Sequence, residues 1–326
     1  MESTRSRPPE NAMSNLTDSL EGIFHFLADR VPGNLPTVPP KPRKANLWCH
    51  DGRPLVSKVA ATRDLESSII RSLDLLGGLN KLAAPGDTVL VKPNFNSADP
   101  YPGSTDLDFL KTVLGLLVQT GAKVTLGESS GGMWRPTRKT LAKLGIPELL
   151  SKMGIPLVAF DEEPRNWVQI DIGGEYLTKV TMPKSAYQAS KIVYLPCLKT
   201  HNLARFSLSL KLAMGFVHPG ERLAIHMRDL EQKAVEINLA WQPDLIIMDG
   251  RKAFVSGGPA TGELAEPGVI LASGDMVAID AEALKILLSY RAKNRLTPNP
   301  WDSPQITTAL GHQLGTREGE YHVLEA

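Results

Sequence analysis

Two cysteines, Cys49 and Cys197, are all that 326 residues hold, and they stand far apart. That scarcity excludes a disulfide framework and any four-cysteine zinc or iron–sulfur site within the chain, and makes a reducing, cytoplasmic setting the expectation. A surplus of one charge is also missing. With 36 basic residues against 35 acidic ones there is no broad basic field, so nucleic acid is not an expected partner. No stretch reaches the roughly 18 apolar residues that a membrane span requires. The opening MESTRSRPPENAMSNL lacks a basic start followed by an apolar run, so neither export nor a membrane partner is expected. Equally absent are the G-x-x-x-x-G-K-[ST] phosphate loop, a G-x-G-x-x-G after a strand and the G-x-S-x-G elbow, which removes the usual support for nucleotide, dinucleotide and serine-hydrolase chemistry.

What remains is an ordinary globular composition, 42% hydrophobic and 22% charged, enough for one large α/β domain or two smaller ones. Residues 1–54 divide into a short amphipathic helix through Leu20, Ile23, Phe24 and Leu27, suited to docking on the body or on a second copy, and a proline-rich linker, VPGNLPTVPPKPRK. From Leu55 to Tyr290 short aliphatic runs alternate with helical patterns: VSKVA, TVLVKPNFN, AKVTLGESSGG, IVYLPCLKTH, DLIIMDG and GVILASGD are separated by segments such as Leu65–Leu76 and Thr105–Thr120. This predicts an α/β fold with a mainly parallel sheet and helices on both faces. WVQIDIGGEYLTKVTMP alternates apolar and polar residues around Gly173-Gly174 and is expected to form a β-hairpin inserted as a small subdomain over about 165–183. The loop RKAFVSGGPATGE is expected to be irregular, and residues 291–326 a surface tail.

In such sheets ligands bind beyond the carboxyl ends of strands, where this chain places its polar groups. Lys199 and His201 follow the strand at Ile192, and Lys211 interrupts the apolar run SLSLKLAMGF; these three are the expected catalytic residues, His201 moving a proton. Lys92, Asn94, Ser129, Ser130, Gly257 and Gly258 are expected to bind an anion through charge, amide and hydroxyl donors and glycine-rich backbone. His226, Asp249 and Glu263 are candidate ligands for a divalent metal, although no His-x-x-x-His or Cys-x-x-Cys spacing supports them.

The ordered set VKPNFN, VTLGESSGG, VYLPCLKTH, SLSLKLAMGFV with His226 following, IIMDGRKAFVSGGPATGE and VILASGDMVAIDA, between Val59 and Tyr290, resembles the domain of unknown function 362 family. Members of that family often carry a ferredoxin-like segment with cysteine-rich motifs. Two cysteines cannot form it, so no iron–sulfur cluster is expected here. The order Lys-Thr-His, lysine before a glycine turn, Pro-Gly and histidine is also similar to the core of the lactate racemase family, which uses a nickel-pincer nucleotide. That resemblance implies an acid–base role for His201, a cofactor or anion contact at Lys211 and a metal ligand at His226; no counterpart of the family's remaining histidine pairing stands in the N-terminal half.

Together these readings predict an enzyme acting on a small carboxylate- or phosphate-bearing metabolite by acid–base chemistry, an isomerisation or elimination with a divalent metal as a possible aid. The alternative is a non-catalytic ligand- or metal-binding protein serving a redox or regulatory partner.

Overall fold

The computed structural model describes Gly22 and residues 29–326. The helix expected at Leu20, Ile23, Phe24 and Leu27, and with it the contact to a second copy, lies outside the described residues. In chain order the main sheet uses β1 (Arg53–Ala60), β2 (Thr88–Lys92), β3 (Lys123–Glu128), β4 (Leu157–Ala159), β5 (Lys191–Tyr194), β6 (Cys197–His201), β7 (Leu245–Gly257), β8 (Gly262–Ala265), β9 (Val269–Ser273) and β10 (His322–Glu325). Across the sheet the order is β10, β1, β9, β7, β5, β2, β3, β4, and along this path β9 runs against its neighbours while the others are parallel. The helices that matter below are α1 (Leu65–Leu75), α2 (Leu107–Gln119), α3 (Ser209–Leu212), α4 (Pro219–Met227) and α5 (Met276–Leu288).

Period-two alternation explains why both sheet faces are covered. Leu55, Val89, Val91, Val193, Leu245 and Ile247 point into one apolar cluster with Ile69 and Leu73 of α1 and Phe109, Val113 and Leu117 of α2. Their neighbours Val56, Leu90, Ile192, Tyr194, Ile246 and Met248 point into the other, with Ile279, Ala283 and Leu287 of α5. Helix starts follow local chemistry: Asp64 accepts from Ser67 N at 3.0 Å and Asp106 from Phe109 N at 3.0 Å, so these aspartates cap α1 and α2.

Several expectations need correction. The segment before Leu55 is not a free linker: Trp48 is fully buried, Thr37–Val38 pairs in parallel with Trp167–Asp171, and Lys41 N donates to Ala240 O at 2.9 Å. Residues 291–326 are not a surface tail, because Ile306 and Ala309 sit in the core and β10 completes the sheet beside β1. Nor is RKAFVSGGPATGE irregular. The strand that begins at Leu245 continues to Gly257, and β8 returns antiparallel to it around Gly257 (φ 76°) and Gly258 (φ 68°). Trp167–Asp171 and Lys179–Pro183 do pair antiparallel, yet Trp167, Val168, Ile170, Val180 and Met182 belong to the same core cluster as the main sheet.

Candidate active site

Three strand ends and two helices converge on one cleft of about 370 Å³, whose walls include Lys92, Asn94, Glu128, Ser129, Lys199, His201, Lys211, Arg222 and His226. β2 ends in Lys92 and β3 in Glu128, β6 ends in His201, and the chain then folds back through α3, which carries Lys211, and α4, which carries Arg222 and His226. Asp280 of α5 fixes the position of α3: its carboxylate accepts from Ser209 N and Leu210 N, both at 2.9 Å. Burial pushes this carboxyl up to about 7, against the pull of those bonds.

The deepest pair is Lys92 with Glu128, in direct ion-pair contact and buried together. Glu128 also accepts from Phe95 N at 2.9 Å and Ser129 N at 2.8 Å, and Lys92 donates to Pro93 O at 2.8 Å. Burial pulls each toward its neutral form, the carboxyl upward and the ammonium downward, while their mutual attraction opposes both shifts. Gly215 is required beside them, since a Cβ there would lie 2.6 Å from Lys92 Nζ and 3.3 Å from Glu128 Oε1.

Three further cations have no such partner. Lys199, Lys211 and Arg222 are 1%, 8% and 8% exposed, and among the described residues no carboxylate lies within ion-pair distance of them. Lys199 Nζ donates to Gly103 O at 2.5 Å, and Arg222 donates to the carbonyls of Val217 (2.8 Å), Ser129 (3.2 Å), Ser130 (2.7 Å) and Gly215 (3.3 Å). Burial first, then the charges of Lys199 and Arg222, brings Lys211 down to about 8. Burial likewise lowers Arg222 to about 10, and at that value it stays charged. Buried charge without an ion-pair partner is costly, and an anion that entered the cleft would offset that cost. The hydroxyl of Ser129, on the same wall, is buried and finds no partner among the described residues.

The two histidines are set in opposite tautomers. His201 Nδ1 accepts from Leu203 N and Ala204 N, both at 3.1 Å, so its proton sits on Nε2. Burial, then Lys211, Lys199 and His226, holds its pKa at about 2; it is a neutral hydrogen-bond donor. His226 Nδ1 donates to Arg222 O at 2.7 Å, which leaves its Nε2 lone pair free, and burial keeps it neutral as well. His201, expected to move a proton, therefore presents an N–H, and His226, expected as a metal ligand, presents a lone pair.

Other expected site residues lie elsewhere or do other work. Ser130 is turned into the protein, donating to Phe95 O at 2.9 Å. Gly257 and Gly258 form the β7–β8 turn, and at Gly258 a Cβ would lie 2.0 Å from Thr200 O, so these glycines serve close backbone packing rather than an anion. Asp249 is taken up by Tyr101 and Arg251, and Glu263 is exposed and bonded to Ser256 at 3.0 Å. His226, Asp249 and Glu263 are therefore not brought together. Among the described residues no three His, Cys, Asp or Glu side chains converge in a way that could hold a metal ion, so the donor set does not fit an ion held by the protein alone. His218 is buried, caps α4 by accepting from Gly220 N at 3.1 Å, and packs against Trp167 with ring centroids 4.5 Å apart.

Sequence reasoning missed Glu128, Arg222 and Trp134. Arg222 precedes His226 by four residues, a spacing that puts both on one helical face and could have revealed it. Trp134 lies in a short turn with no periodic signal.

Comparison with known proteins bears on this architecture. A solved structure of the lactate racemase apoprotein from Thermoanaerobacterium thermosaccharolyticum aligns over 81% of this chain with a TM-score of 0.41 and 15% identity; the chain spans 63% of that protein's length. The thylakoid-associated protein sll1697 of Synechocystis sp. is 30% identical over 271 residues, which cover 76% of this chain and 79% of that protein. No helix of the described residues is long and apolar enough to cross a membrane. Residues 89–285, more than half of the chain and every strand end that builds the cleft, match the family described as domain of unknown function (DUF362), and the chain belongs to that family.

Proposed function

We propose that this protein is an enzyme that takes a small carboxylate- or phosphate-bearing metabolite into the cleft and moves a proton on it. The observation that carries the reading is the convergence of Lys199, Lys211 and Arg222, buried and without carboxylate partners, beside a histidine with a free lone pair. The anion neutralises the lysines. His226 Nε2 accepts a proton from the substrate, and His201 Nε2–H donates a hydrogen bond to the oxygen on which negative charge develops. A neutral imidazole is the better electrophile for that purpose, because it polarises the oxygen without delivering its proton outright. Isomerisation and elimination both fit this pair of roles.

Nuclear magnetic resonance in deuterated water tests it. A panel of 2-hydroxy and 2-oxo carboxylates and their phosphate esters should include one whose α-hydrogen exchanges in the presence of the protein. His226→Gln should abolish that exchange and leave binding measurable. Binding with no exchange across the panel would sink the enzymatic reading and leave a ligand-binding protein; no binding of any anion would sink both.

A further inference from the structure

The cleft is polar where proteins are usually apolar and apolar where they are usually polar. Its cations lie at the floor, each less than a tenth exposed, whereas two of the large apolar residues lining it, Trp134 and Leu223, are 51% and 52% exposed. Between floor and mouth the wall is completed by Phe95, Leu212, Met214 and Pro259. Exposed apolar side chains are unremarkable singly, but a set of them around the opening of a charged cleft marks a surface that a ligand covers. At about 370 Å³ the cleft is near the lower end of ligand-binding cavities, room for a head group and the first part of a body.

Resting on the anion-binding reading above, we infer that the ligand is an amphiphilic acid: a carboxylate or phosphate head on Lys199 and Lys211, with an acyl, prenyl or aryl body leaving the cleft between Trp134 and Leu223. A purely hydrophilic metabolite would leave that rim in water and gain nothing from it. An apolar body covers it, and each methylene buried there should tighten binding about fourfold until the rim is passed.

Calorimetric titration of the full chain with inorganic phosphate and with methyl, butyl and octyl phosphate, all below their micelle concentrations, tests this directly. A parallel series from acetate to octanoate tells which head group is preferred. The expected result is affinity that climbs with chain length in at least one series, and a shallower climb in Trp134→Ser and Leu223→Ser, substitutions at half-exposed positions that the fold should tolerate. Affinity independent of chain length overturns the amphiphile while leaving the anion site standing. Failure of every member to bind overturns the anion site and the amphiphile together.

Discussion

Two polar clusters are built on this sheet, one within β7 around Asp249 and one in the cleft, and their difference lies in charge balance. Around Asp249 every charge is answered: its carboxylate accepts from Tyr101 Oη at 2.8 Å, from Arg251 N at 3.1 Å, and from Arg251 Nε and Nη2 at 3.0 and 2.7 Å. Arg251 Nη2 also reaches Asp106 at 2.7 Å, which ties β7 to the residue that caps α2. In the cleft, by contrast, Lys92 and Glu128 answer each other, and Lys199, Lys211 and Arg222 are left with carbonyl oxygens or nothing. A satisfied knot holds the fold together. A set of buried cations without ion-pair partners costs stability, a cost that the anion proposed above would offset.

Substitution should separate the two. Arg251→Met strands a buried carboxylate and should cost about 3 kcal/mol, at the lower end of the range for breaking a buried pair because Arg251 is partly exposed. Urea denaturation would show it, with anion affinity unchanged. Lys211→Met should do the reverse. It removes a buried cation that has no partner, so stability should hold or rise, while anion affinity falls roughly 10- to 100-fold, as expected for losing one charge-assisted contact. Should Lys211→Met destabilise the protein as much as Arg251→Met does, the distinction drawn between the clusters would collapse.

The same contrast explains what could be read from the sequence. Lys92 and Ser129 were legible because each stands at or just past the end of an aliphatic run that is also a strand, whereas Lys199 and His201, read as following the strand at Ile192, lie within a strand of their own, Cys197–His201. Asp249 and the glycine pair at 257 and 258 were misread by the same rule, since β7 does not end at Asp249. It shifts register against β6 between the positions facing Cys197 and Lys199, and continues to Gly257. An aliphatic run ends where side-chain burial ends, whereas a strand ends where its hydrogen bonds do. The histidine tautomers were beyond reach for another reason: they depend on which backbone groups at Leu203, Ala204 and Arg222 meet each ring, and residue spacing carries no information on that. Burial of Trp48 and Ile306 was equally hidden, as proline-rich and polar surroundings masked residues that the core recruits from both ends of the chain.

Acidity offers a finer cut. Lys211 titrates at about 8 when folded and 10.5 when unfolded, so between those values the unfolded chain holds the extra proton. Its contribution to stability therefore rises with pH across that window, because unfolding takes up a proton there. Anion affinity moves the other way, falling by up to about tenfold per unit as the ammonium loses its charge above pH 8. Wild type and Lys211→Met, compared by titration and by melting from pH 7 to 9, should show both trends steeply in the first and only weakly in the second, where Lys199 and Arg222, also lowered by burial, remain. A wild-type affinity that stays flat across pH 8 would remove Lys211 from the anion's contacts.

The smallest expected effect is also the most selective. Ser129 has a buried hydroxyl with no partner, although its backbone N–H donates to Glu128 at 2.8 Å and its carbonyl accepts from Arg222. Most buried hydroxyls find partners; among the described residues this one has none, and it lines the cleft, where an occupant could supply one. Ser129→Ala should thus leave the melting temperature of the ligand-free protein within what a change of about 0.5 kcal/mol produces. Anion affinity should drop several-fold, by about the 0.5–1.5 kcal/mol of one neutral hydrogen bond. Loss of stability without loss of affinity would place Ser129 with the residues around Asp249, among those that hold the fold together.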